Sequence, residues 1–207
     1  MKIKCCLLFL LAWQNLYPQS FYKISQEYFR HDPFKPEFSQ FLNSLINDPA
    51  LSEKKISKKN DSTLFYIEGF YSSFSPFFFP SSRCKIILAE QQEFADSLTN
   101  NVYTYFVYQL IGYAPPGEEG IKDIRQEFDK LNRRFKKVLD PKEQKEFKRG
   151  SERTGALIDY TYRDMIFHPL SIAWVTSQDH KENILALSIR FFMDENKAYL
   201  PIPANGP

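Results

Sequence analysis

The sequence predicts an α+β fold, a single domain whose antiparallel β-sheet is joined by one long amphipathic helix (about 118–139) and a short N-terminal helix. Three observations lead there. Ile121, Ile124, Phe128, Leu131, Phe135 and Val138 step by three or four, which places them along one side of a helix. Other segments alternate at the period of two that a half-buried strand shows, most clearly Leu185, Leu187, Ile189, Phe191 and Met193 against Ser188 and Arg190. The strand-like segments also follow one another in runs broken by only two helical patterns, which suits an antiparallel sheet better than repeated βαβ units.

In chain order, Lys2 and Lys4 precede a nine-residue apolar stretch at 5–13 (CCLLFLLAW) and a more polar stretch at 14–20. That order reads as a secretory signal peptide, and the apolar stretch falls far short of the roughly twenty residues a spanning helix needs. Residues 1–20 are therefore expected to be a cleaved signal peptide, cut near Gln19 or Ser20. Residues 21–207 then form the single domain, with no transmembrane segment after cleavage. Cys5 and Cys6 begin the apolar stretch instead of following it, which argues against lipidation. The chain has 27 Lys and Arg against 25 Asp and Glu, so loss of Lys2 and Lys4 leaves 25 against 25. A neutral domain has no global field to attract a polyanion, and no nucleic-acid partner is expected.

Phe34, Phe38, Phe41, Leu42 and Leu45 recur at helical spacing and predict a helix over about 36–46, stopped by Asn47-Asp48-Pro49. The Lys-rich stretch 52–61 lacks an apolar period and reads as a solvated loop. It contains the formal glycosylation sequon Asn60-Asp61-Ser62. Strands are predicted over 64–72, where Gly69 marks a bulge or close packing, and over 83–90. Residues 102–111 are apolar on both faces, which suits a central strand buried on two sides, although Leu98, Val102, Phe106 and Leu110 also fall at helical spacing. Ala114-Pro115-Pro116-Gly117 breaks the chain before the long helix. The charged stretch 142–153 reads as a connector, and strands follow over 156–162, 171–176 and 184–193. No internal repeat is visible.

No motif whose spacing implies chemistry is present: no Gly-rich phosphate loop, Gly-x-Ser-x-Gly elbow, His-Glu-x-x-His, Cys-x-x-Cys or calcium loop. No catalytic residue, metal ligand or cofactor is assigned. His31, His168 and His180 lie in separate contexts, and Cys84 shares a strand face with Ile86 and Leu88, as a buried inert thiol would. Glu118 and Glu119 open the long helix, where negative charge complements the dipole, and Arg133, Arg134, Lys136 and Lys137 close it. These four basic residues begin a local basic excess that would suit an anionic surface. The aromatic content, 20 Phe, 12 Tyr and 2 Trp, is more telling. Phe77, Phe78 and Phe79 stand in a loop between prolines, and Tyr103, Tyr105 and Tyr108 place phenols on both faces of one strand, so these six are the candidate binding residues. The expectation is an exported, non-catalytic binding or assembly protein of the cell envelope or extracellular space, its partner an unknown protein or envelope component. The alternative is a secreted or periplasmic hydrolase with an active site assembled from scattered His and carboxylates.

Overall fold

A computed structural model describes residues 16–57, 64–72, 76–77, 83–96, 101–149, 153–161, 167–177 and 181–200. Its helices are α1 (Leu16–Tyr28), α2 (Phe38–Ile46) and α3 (Glu118–Phe135). Its strands are β1 (Leu51–Ser57), β2 (Tyr66–Tyr71), β3 (Cys84–Asp96), β4 (Asn101–Ala114), β5 (Asp140–Arg149), β6 (Arg153–Thr161), β7 (Leu170–Ser177), β8 (Asn183–Asp194) and β9 (Lys197–Tyr199). All strands join one antiparallel sheet in the order β1-β2-β3-β4-β8-β7-β6-β5, with β9 pairing the end of β8. The predicted α+β class is the observed one. A helix followed by a four-strand meander occurs twice, as α2 with β1–β4 and α3 with β5–β8, and the last strands of the two meanders pair at the centre.

The register runs Ile86, Leu110, Leu187, Ile172 and Ile158 in one row across five strands. The next row on the same face is Leu88, Tyr108, Ile189, Leu170 and Tyr160, and every residue of both rows is buried. The helices cover this face. Phe38 and Phe41 of α2 meet Phe106 and Tyr108 at 4.9 and 5.5 Å between ring centres, and Phe135 of α3 meets Tyr160 at 5.6 Å. Tyr28 of α1 packs on Phe135, and Phe21 reaches Phe191 through Phe34. Each such ring contributes about 1.5–3 kcal/mol by transfer from water, so the aromatic-rich sequence is spent mainly here.

Helix starts are fixed from a distance. The backbone N–H groups of Phe38 and Ser39 donate to the carbonyl and side-chain oxygens of Asn196 at 2.8 and 3.1 Å, because Glu37 makes no side-chain cap of its own. Asn183, buried at the start of β8, donates to the carbonyls of Pro115 and Gly117 at 2.8 and 3.1 Å and accepts from Thr176 at 2.6 Å. Gly120 lies under this turn, and a Cβ there would come within 1.8 Å of the Pro115 carbonyl oxygen. Gly69 is a close-packing glycine, with the Leu51 side chain 2.7 Å from where its Cβ would stand.

Two segments depart from expectation. The stretches 52–61 and 142–153, read as a loop and a connector, carry most of the strands β1 (Leu51–Ser57) and β5 (Asp140–Arg149) at the two edges of the sheet. Helix α1 was not anticipated, and α3 ends at Phe135, with a turn carrying the chain on to Leu139. Strand β4 is central as predicted, but the helices cover only one of its faces.

Candidate functional site

The other face of the sheet carries no described helix. Its register brings together Phe70, Lys85, Ile111, Ala186, Ala173 and Leu157 in one row. The adjacent row is Glu68, Ile87, Gln109, Ser188, Ser171 and Asp159. Tyr113, Ile184 and Val175 flank the first row, and Ala89 and Val107 flank the second. Ile87, Val107, Ile111, Ile184, Val175 and Leu157 are all half-buried. The result is an apolar field, crossed by one largely polar row, on a face that no described helix covers. An antiparallel sheet with one face on its core ordinarily turns polar residues outward.

The charged groups bordering the field are neutralised within the chain. Glu68 takes Lys55 at 2.9 Å, the Tyr66 hydroxyl at 2.6 Å, and Lys85. The bonds from Lys85, Tyr66 and Lys55 outweigh burial and draw its carboxyl down to about 2. Burial, helped by the same contact, pushes Tyr66 up to about 12. At the opposite side Arg190 donates to Asp159 at 3.1 Å and to the His168 carbonyl at 3.0 Å. His168 is half-buried, and burial holds its imidazole below the ordinary value despite the Asp159 charge. Gln109 donates to the Ser188 hydroxyl at 2.8 Å in the middle of the polar row. Chemically, the face can accept an apolar surface and a few hydrogen bonds.

A second cluster lies under the helices. Asp48 Oδ2 accepts from Arg30 Nε at 2.9 Å, His31 Nε2 at 2.8 Å and the Tyr71 hydroxyl at 3.0 Å, while Oδ1 accepts from the Ala50 N–H at 2.9 Å. Burial alone would raise its pKa, but the bonds from His31, Ala50, Tyr71 and Arg30 hold it below the usual carboxylate value. Asp32 Oδ1 accepts from Ser25 and from the Phe34 N–H. Asp32 Oδ2 and the Tyr108 hydroxyl are buried with no hydrogen-bond partner among the described residues. The cluster fastens α1, the turn before β1, and β2 to one another. It pairs a histidine with a carboxylate, yet the nearby Ser25 hydroxyl is bonded to Asp32 and not to His31.

The six candidate binding residues are dispersed. Phe77 is 5% exposed and belongs to the core, so it packs instead of presenting a surface. Phe78, Phe79 and the side chain of Tyr103 lie outside the described residues, as do His180 and the sequon at 60–62. Tyr108 is fully buried beneath Phe29 and Phe41, because its strand position points toward the helices. Tyr105, one position off in parity from the core row, sits half-buried on the open face beside Phe167 and Phe192. The residues that make the field, Ile87, Ile111, Ile184 and Val175, were not singled out. For Ile111 the signal was present in the two-faced apolar character of residues 102–111; Ile87, Val175 and Ile184 lie on other strands. Among the described residues no group of three His, Cys, Asp or Glu is arranged to hold a metal ion. Comparison with protein families, with curated proteins and with solved structures finds no match to this chain.

Proposed function

We propose that this chain is an exported, non-catalytic binding or assembly protein whose contact surface is the open face of the sheet. The observation that carries the reading is the apolar field centred on Ile111 and its neighbours, which no described helix covers. Apolar surface of that kind on a folded domain marks an interaction site. The non-catalytic reading is supported by the saturation of the His31–Asp48 pair, since Asp48 already takes bonds from four groups. The basic end of α3 is a weaker candidate for contact with an anionic surface, because Arg134 is engaged by Glu27 and the Tyr28 hydroxyl, leaving Arg133, Lys136 and Lys137 exposed.

Export rests on the basic, apolar and polar order of the first twenty residues. A cut after Ser20 falls within α1 (Leu16–Tyr28) and keeps its core residues Phe21, Ile24 and Tyr28. Intact mass of the protein from its host should show loss of about the first nineteen or twenty residues, and a full-length product would reject export. For the contact surface, a photo-crosslinking residue placed at Ile111 should trap an adduct in the host, while one at the exposed Lys122 on α3 should not. Absence of any adduct at position 111 would remove the reading.

A further inference from the structure

We propose that the occupant of the open face is a second copy of this chain, seated face to face so that the two sheets make a sandwich. The inference rests on the reading of that face as a contact surface. Its own argument is the distribution of side-chain size. On the β3 and β4 half, the two central rows carry Lys85, Ile87, Gln109 and Ile111. On the β7 and β8 half the same rows carry only Ala173, Ala186, Ser171 and Ser188. Ala186, Ser171 and Ser188 are buried between their neighbours, so this half forms a shallow recess beside a raised half.

A two-fold axis along the β4–β8 seam, lying between the two sheets, exchanges the halves. It sets Ile111 of one copy over Ala186 of the other, and Ile87 over Ser171. An isologous contact requires such self-complementarity, in which each position meets its exchange partner twice. In the two central rows, a raised β3–β4 side and a recessed β7–β8 side meet that requirement.

Charge and size agree. The same exchange sets Glu68 over Asp159, and each of these carboxylates is already paired within its own chain, Glu68 by Lys55 and Lys85 and Asp159 by Arg190. Six strands about 4.8 Å apart and four rows about 6.8 Å apart give a field of roughly 24 by 20 Å, which with side-chain breadth approaches the ~800 Å² per partner of a standard interface. Stacked sheets sit about 10 Å apart, a gap that one layer of Ile against Ala fills from both sides. The sheet edges do not offer the alternative of strand addition. Strand β1 is interrupted by a bulge at Glu53, with φ of 52°, and carries Lys54 and Lys55, while β5 carries Pro141 among its Lys residues.

Sedimentation equilibrium of the mature chain tests this. A dimer is expected at concentrations up to about 100 µM, above the micromolar limit reached by interfaces of this size. Ile111→Lys or Val175→Lys should weaken it at least about tenfold by placing an unpaired charge in the contact, with thermal unfolding confirming that each variant is folded. Ala186→Ile alone should weaken the dimer, and Ile111→Ala added to it should restore association, because the exchange swaps the raised and recessed positions. Lys122→Gln on α3 should change nothing. A monomer at every concentration, or a dimer indifferent to both lysine variants and to the exchange, overturns the proposal. A crosslink from position 111 to a protein of another mass would do the same while leaving the open face a contact surface, and no crosslink at all would take both readings away.

Discussion

Two buried tyrosines, on the strands β2 and β4 that flank β3, show how differently one residue type can be used. The Tyr71 hydroxyl donates to the Asp48 carboxylate at 3.0 Å, whereas the Tyr108 hydroxyl is buried without a partner among the described residues. Removing a hydrogen bond to a charged group costs about 1.5–3 kcal/mol, and removing an unsatisfied buried hydroxyl costs nothing or stabilises. Tyr71→Phe should therefore lower unfolding free energy in denaturant by that amount, and Tyr108→Phe should leave it equal or higher. Equal losses from the two would remove the distinction. Both burials follow from strand parity, but which hydroxyl finds an acceptor depends on Asp48, which lies 23 residues from Tyr71 in sequence. Cys84 was legible outright from alternation with Ile86 and Leu88. It is fully buried, and burial pushes its thiol up to about 12, so labelling should be slow in the folded protein and complete on unfolding. Glu68 carries a pH prediction. Its carboxyl is held at about 2 in place of its ordinary 4.5, so its contribution is full above the ordinary value and is lost as pH falls toward about 2. Glu68→Gln should flatten the acid limb of the stability profile in that window and leave the slope above pH 5 unchanged.

At the scale of elements, what sequence pattern could reveal was set by where each element lies. Helix α3 and strand β8 were readable because half of each faces the core, which imposes a period, whereas β4 was read from its aromatic and β-branched content on both faces. The edge strands β1 and β5 were not, because an exposed edge is kept from pairing with other chains by charge, bulges and proline, and those devices erase the alternation. Lys54, Lys55, Pro141, Lys142 and Lys145 look like loop residues for that reason. Helix α1 was hidden differently, since it begins at Leu16, inside the polar stretch 14–20 read as part of the leader, and Phe21, Ile24 and Tyr28 alone give a short run. The start of α2 likewise lacks a local cap, its N–H groups being met by Asn196 from 157 residues away. Asn196→Ala should behave as the loss of an N-cap, costing about 1 kcal/mol and lowering the melting temperature by about 2–4 °C for a domain of this size. A shift below half a degree would mean that water replaces the contact without loss.

The whole molecule is one helix-plus-meander arrangement used twice, joined where β4 and β8 pair along nine registered positions. Its sequence carries no visible repeat, because an interior asks only for apolar residues of suitable volume at the inward positions, and many sequences satisfy that. The buried residues of α1, α2, α3 and both meanders nonetheless form one continuous cluster, so neither half has a core of its own. Loss of the seam would expose Tyr108, Leu110, Leu187, Ile189 and Phe191 together, all of them fully or almost fully buried. Truncating one core aromatic costs about 3–5 kcal/mol, so exposing the whole row would exceed the 5–15 kcal/mol stability of a typical domain. The halves should accordingly unfold in a single transition, while the edges open locally. Native-state hydrogen exchange should find the slowest amides in β4 and β8, at the free energy of global unfolding, and faster exchange in β1 and β5, whose outer backbone groups have no strand neighbour. If one meander instead exchanged as a unit well before the other, the seam would be a contact between two independently folding halves, and the single-core account of this fold would have to be given up.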